Sequence, residues 1–234
     1  MSRPPYAIVF DFDGVLADTE PLHMRTAQLA LAEIGVSLSE QDYYSRYLGY
    51  DDAGMVARIS EDLGLGLDRA AARAVVARKA ALMPEALRTH GVLFPGAAAC
   101  VRRLHPDVPL AIASGALRSE IEQVLDAHGL AGSFRCIVAA GETVRSKPAP
   151  DPYARAIELL QAQGAIPASG LAARGAVAIE DSHWGLASAR AAGLRCVGVT
   201  TSYAAPELSA ADLVVATLDE IDLSGLSALF DGDD

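Results

Sequence analysis

The chain has 234 residues, one or two domains at roughly 150 residues each, and its 51% apolar content supports a sizeable core and excludes general disorder. Asp and Glu number 30 against 19 Lys and Arg, a net charge of −11, which disfavours nucleic acid and anionic membrane as partners. Lysine occurs only at Lys79 and Lys147, so a small anionic substrate has to be captured by a few placed cations or by a metal. Cys100, Cys136 and Cys196 form no short-spaced pair and lie in apolar stretches, the pattern of reduced, buried thiols in a cytoplasmic protein. No run reaches the roughly 18 apolar residues of a membrane span, and the run at 6–10 is too short for a signal-peptide core.

In chain order, the first strand is expected at 6–10. From about 19 to 88 strand-like runs are lacking, and helical stretches such as 22–34 and 67–83 take their place. Pro21 just inside a helix start and Pro95-Gly96 at the return mark the limits of this insert. Further strands are expected at 108–113, 136–140, 176–179, 195–199 and 212–215, with helices between them. One helix is read at 118–129, one after Pro152 with Asp151 as its N-cap, and one ending at Gly193. Apolar runs alternating with helices indicate a parallel sheet covered on both faces. The expected fold is α/β, a doubly wound, Rossmann-like parallel sheet over 1–17 and 91–234 with an inserted α-helical cap over 18–90. The tail at 231–234 is expected to fray.

Ligands of such sheets bind beyond the carboxyl ends of the strands, and the polar residues of this chain collect there. Strand one leads into Asp11-Phe12-Asp13-Gly14, in which alternation sends both carboxylates to one side and Phe12 to the other. The run through Ala113 ends in Ser114-Gly115, a hydroxyl and open backbone amides where a helix is expected to begin. Lys147 stands before Pro148, Pro150 and Pro152, and the fourth run ends in Glu180-Asp181-Ser182. Four carboxylates cannot all ionise side by side, because one like-charged pair at 4 Å costs about 4 kcal/mol at an effective dielectric of 20. An oxygen-only set balanced by a cation favours Mg2+. Carboxylates with Mg2+, a lysine and an amide/hydroxyl cradle suit phosphoryl transfer.

The stretches 11–20, 113–115, 146–151 and 179–185 resemble, in order, the four motifs of the haloacid-dehalogenase superfamily, most closely its β-phosphoglucomutase and sugar-phosphate phosphatase branch. The resemblance implies that Asp11 is the nucleophile forming an aspartyl-phosphate and that Asp13 is the general acid and base. It implies Mg2+ held by Asp11, the Asp13 carbonyl and Asp181, with Glu180 assisting directly or through water. Ser114, Gly115 and Lys147 would hold the phosphoryl oxygens. Dehalogenases and phosphonoacetaldehyde hydrolases lack an acid at the Asp13 position, so neither reaction is expected.

Thr19, Glu20 and His23 match the same branch, and Gly49 of the cap loop and Lys79 join them as candidate substrate contacts. Helical spacing puts Lys79 on the stripe of Val75, Val76 and Met83; it is read either as a cap group for substrate or as a lysine snorkelling to solvent. Mutases carry a cap-loop arginine for a second phosphate, whereas the matching loop at 48–54 has Asp51 and Asp52 and no arginine. They also carry a serine where this chain has Ala116. The reading is therefore a monomeric phosphatase for a small phosphorylated metabolite such as a sugar phosphate. The alternatives are a hexose-phosphate mutase and, against the motif order, a non-enzymatic phospho-acceptor protein. Trp184 is read as a packing residue, and Ser182 as an N-cap or a ligand.

Overall fold

Six short runs of β-branched and small apolar residues form one sheet in the computed structural model, which describes residues 4–48, 50, 52–89, 92–168 and 172–231. The strands are β1 (Ala7–Phe10), β2 (Leu110–Ala113), β3 (Phe134–Val138), β4 (Ala176–Glu180), β5 (Arg195–Val199) and β6 (Leu213–Val215). Their spatial order is β3-β2-β1-β4-β5-β6 and every pairing is parallel, the doubly wound arrangement in which the strand order reverses between β1 and β4. By their contacts the residues divide into two units, Met1–Asp18 with Val92–Asp234, and Thr19–Gly91.

The inserted unit is helical: α1 (Glu20–Ala32), the single turn α2 (Glu40–Asp42) running into a π-helical turn at Tyr43–Tyr47, α3 (Asp52–Asp62) and α4 (Arg69–Thr89). Its core joins Ala27, Ala30 and Leu31 of α1 to Met55, Val56 and Ile59 of α3 and Val75 of α4. The small residues on α1 let a neighbouring helix approach closely. The α4 helix outlasts the sequence expectation by six residues, running on through Pro84. Proline costs a ladder bond, but Leu87 beyond it is 4% exposed, so a continued apolar stripe offsets the break.

In the sheet unit the helices are α5 (Ala97–Leu104), α6 (Arg118–Ala127), α7 (Asp151–Ala162), α8 (His183–Ala191) and α9 (Leu223–Ala228). Alternate strand residues Ala7, Val9, Ala111, Ala113, Ala176 and Ala178 pack with Tyr153, Ala156 and Leu160 of α7 and Leu186 and Ala189 of α8. Ile8, Phe10, Ile112 and Ile179, which period-two alternation sends to the opposite face, are fully buried as well. Alanine on the first face lets these helices lie close to the sheet. The three cysteines are free, with Cys100 and Cys196 buried.

Several boundaries differ from the sequence reading, for local reasons. β2 starts after Pro109, which has no N–H to give the ladder but accepts from the Ile8 N–H at 3.1 Å. β3 stops at Val138, because the next two amides turn to the Glu142 carboxylate and the Ala116 carbonyl. Asp151 is the first helical residue of α7 and not its N-cap, which is Pro150. Its carboxylate turns back instead to accept from the backbone N–H and guanidinium of Arg145. Gly193, at φ +91°, does close α8, with the Leu194 N–H reaching the Ala189 carbonyl at 3.1 Å.

Candidate active site

Register places the chemistry. Phe10 pairs with Ile179 across the β1–β4 seam, and the Asp11 N–H donates to the Ile179 carbonyl at 2.9 Å. Asp11 and Glu180 are thereby set side by side at the point where strand order reverses. On the other side Phe10 pairs with Ile112, so Ser114 lies one residue beyond the level of Asp11. After β1 the chain turns at once, with the Phe12 carbonyl accepting the N–H groups of Leu16 and Ala17. Phe12 is fully buried, as alternation expects.

Lys147 joins the two seam strands. Its ammonium lies 2.9 Å from Asp11 Oδ1 and 2.6 Å from Glu180 Oε1. The segment that carries it is tied down by Ser188 of α8, whose hydroxyl donates to the Ala149 carbonyl at 2.5 Å. Burial alone would lower the ammonium's pKa, but Asp11 and Glu180 raise it above the ordinary lysine value, so it stays charged. Asp11 is held well above the usual carboxylate range, by burial first and then by Glu180, Asp181 and Asp13, with Lys147 opposing. Burial pushes Asp181 up to about 6, with Glu180 adding and a hydrogen bond from Ser202 opposing.

These shifts express crowding. Asp11, Glu180 and Asp181 are all buried and each offers an oxygen within 4.8 Å of the others. One lysine cannot neutralise three carboxylates. Oxygen-only donors carrying excess negative charge fit a hard divalent cation. The residues present therefore suit a metal, with Asp11, Glu180 and Asp181 as its side-chain ligands.

Two glycines make the crowding possible. A methyl group on Gly14, at φ +76°, would lie 1.9 Å from the Asp181 carboxylate. One on Gly185 would lie 1.8 Å from that of Glu180. Glu180 Oε2 accepts from the Asp181 and Ser182 N–H groups and from the Ser182 hydroxyl. Ser182 is also the N-cap of α8, accepting from the Gly185 N–H.

Asp11, Lys147, Glu180 and Asp181 are thus brought together, with Asp13 close enough to raise the Asp11 pKa. Ser114 is buried, but α6 begins only at Arg118, and the Ser114 hydroxyl accepts from the Ala116 N–H at 3.1 Å. Ser114-Gly115 thus forms a turn before the helix and does not start it. Trp184 is no packing residue: it is 57% exposed and lies against His183 with the rings tilted, their centroids 4.6 Å apart.

Within the helical unit Thr19 is buried and Glu20 accepts a short hydrogen bond from the Tyr43 hydroxyl. Lys79 does not snorkel: it is 4% exposed, its ammonium 2.5 Å from Asp52 Oδ1 and 2.9 Å from His23 Nδ1. Burial and the neighbouring lysine lower His23 to about 4, so the ring is neutral and accepts at Nδ1. Gly49 and Asp51 lie outside the described residues.

Sequence reasoning missed three residues of the sheet unit. Thr201 donates to the Gly14 carbonyl, Ser202 hydrogen-bonds Asp181, and Tyr153 donates to Glu180 Oε1 at 2.8 Å. The first two follow β5 at the same sheet edge, and strand-end position was their signal. Tyr153 shares a stripe with Ala156, Ile157 and Leu160, where a buried phenol needs a polar partner.

Gly185→Ala is expected to destabilise the fold by at least about 1–3 kcal/mol, the usual range for overpacking, and to disorder the acids. Gly115→Ala meets nothing within 4 Å and is expected to unfold at the wild-type temperature. Thermal unfolding of the two variants side by side checks both, and equal melting points would refute the account of Gly185.

Comparison with known proteins agrees with this geometry. The profile of haloacid dehalogenase-like hydrolases matches residues 6–193. CbbY of Rhodobacter capsulatus is 34% identical over 214 residues, 88% of this chain and 90% of that protein. Fructose-1-phosphate phosphatase YqaB of Escherichia coli is 31% identical over 204 residues, 82% of this chain and 95% of that one. A variant of CbbY from Rhodobacter sphaeroides, crystallised with xylulose-(1,5)bisphosphate, has a TM-score of 0.78 at 26% identity, covering 95% of this chain and 99% of that one. Because the profile spans every strand-end motif from Asp11 to Asp181, the chain belongs to the haloacid dehalogenase-like hydrolases.

Proposed function

We propose that the protein is a Mg2+-dependent phosphatase that hydrolyses a small phosphorylated metabolite, of the sugar-phosphate class, through an aspartyl-phosphate. The observation that carries this reading is the Asp11 carboxylate, held 2.9 Å from the Lys147 ammonium in a group of buried acids. Relatives named for fructose 1-phosphate and crystallised with xylulose bisphosphate support the substrate class. The reading takes the protein as a cytoplasmic monomer in which the unit over 1–17 and 91–234 performs the chemistry and the cap over 18–90 selects the substrate.

In this mechanism Asp11 attacks phosphorus in line, forming the acyl-phosphate bond as the ester P–O bond breaks. Asp13 gives its proton to the departing alkoxide, then takes one from the water that attacks the phosphorus. That second displacement releases inorganic phosphate and restores Asp11. Lys147, Ser114 and the Gly115 amide hold the phosphoryl oxygens. Asp11, the Asp13 carbonyl, Glu180 and Asp181 would hold Mg2+, which would supply further neutralisation of phosphoryl charge. Thr19, Glu20, His23, Gly49 and Lys79 are the cap residues assigned to the leaving group.

One observation favours hydrolysis over the mutase alternative. Where a mutase presents an arginine to a second phosphate, this cap loop leads into Asp52, whose carboxylate takes the Lys79 ammonium. A self-neutralised pair is a poor grip for a second dianion.

Mg2+-dependent phosphate release from a panel of sugar monophosphates tests the reading. Asp11→Asn is expected to lower kcat by about a thousandfold or more, and equal release by both proteins would overturn the nucleophile. β-Glucose 1-phosphate with a bisphosphate primer is expected to yield no 6-phosphate; accumulation of the 6-phosphate would establish the mutase instead. Lys79→Ala is expected to lower kcat/KM for the best sugar phosphate about tenfold relative to p-nitrophenyl phosphate, and an unchanged ratio would remove Lys79 from recognition.

A further inference from the structure

The Glu180 carboxylate is fully buried and receives five donors. Three reach Oε2 from its own turn, at Asp181 and Ser182. Oε1 receives two, the Lys147 ammonium at 2.6 Å and the Tyr153 hydroxyl at 2.8 Å. Tyr153 belongs to α7, a separate helix, and is itself fully buried. Its ring lies beneath the same ammonium, with Nζ 5.0 Å from the ring centroid, within cation–π range. One side chain therefore touches both the lysine and the carboxylate that orients it.

Packing does not require that hydroxyl. The neighbours of Tyr153 on the inward stripe are Ala156, Ile157 and Leu160, and phenylalanine would fill the same volume. The hydroxyl instead has a geometric consequence. An ammonium carries three N–H donors. With Asp11 and Glu180 taking two, and the ring closing the side toward α7, one is left for a phosphoryl oxygen on Asp11.

We infer that Tyr153 is a positioning residue for phosphoryl transfer, fixing Glu180 through its hydroxyl and Lys147 through its ring so that the lysine stands against Asp11. The inference rests on the phosphatase reading for its kinetic consequence, but the placement of Lys147 can be read without activity.

Tyr153→Phe keeps the ring and removes the hydroxyl. With p-nitrophenyl phosphate its kcat is expected to fall about tenfold and its inhibition constant for orthovanadate to rise by a similar factor, the scale of one hydrogen bond to a charged group. Tyr153→Leu, which also loses the ring, is expected to fall further. A Tyr153→Phe protein that melts earlier but keeps wild-type kcat and orthovanadate inhibition would overturn the inference, leaving Tyr153 as packing alone. Because the chain has two lysines, lysine-selective 13C labelling gives two sets of side-chain signals, which a Lys79→Arg variant assigns. The Lys147 signal is expected to move in Tyr153→Phe while that of Lys79 stays, and an unmoved Lys147 signal would likewise overturn the proposal. A wild-type protein that releases phosphate from no ester would refute the phosphatase reading, whereas the lysine signals would still decide the role of Tyr153.

Discussion

One buried cation between two buried carboxylates sets the terms for the rest of the sheet unit. Taking a charged group out of water costs several kcal/mol even after relaxation, so Lys147, Asp11 and Glu180 can share the interior only while they stay in contact. Removing Lys147 would leave both carboxylates uncompensated at the seam of the sheet. The parallel β1–β4 pairing brings Asp11 level with Glu180. The loop before α7, tethered by Ser188, brings in the lysine.

The same contact explains why small residues are needed around it. Carboxylates within 4.8 Å of one another leave no room for neighbouring side chains. Gly14 yields space to Asp181, and Gly185 yields space to Glu180. The alanines of β1, β2 and β4 let α7 and α8 approach, and α7 carries Tyr153 up to Glu180. Negative charge remains after Lys147 is counted, and that remainder suits the edge to a hard cation. An overall charge of −11 is thus no obstacle to a phosphate ester, since the decisive acids are local and suited to hold a cation.

The helical unit repeats the theme on a smaller scale. Its one lysine is buried and paired with Asp52 and the neutral ring of His23. Both lysines of the chain therefore have carboxylate partners, and neither serves as a general solvated cation. The difference lies in what surrounds them: acids in excess around Lys147, a balanced pair at Lys79.

The layer architecture and the residues of the sheet edge could be read along the chain. Apolar runs of strand length recur between helical patterns, and strand ends are the points where such a fold exposes polar groups. That signal is local, so Asp11, Asp13, Ser114, Lys147, Glu180 and Asp181 were legible one motif at a time. Only the tertiary structure decided which of them touch, because contact depends on register between strands more than 160 residues apart. It also decided what local patterns misread. Asp151 looks like an N-cap yet serves Arg145, Trp184 looks like core yet faces solvent, and Pro84 does not end α4. Tyr153 was out of reach for the same reason, whereas Thr201 and Ser202 carried the strand-end signal after β5. A hydroxyl carries no sequence periodicity of its own, and its role is fixed by the partner that folding brings to it.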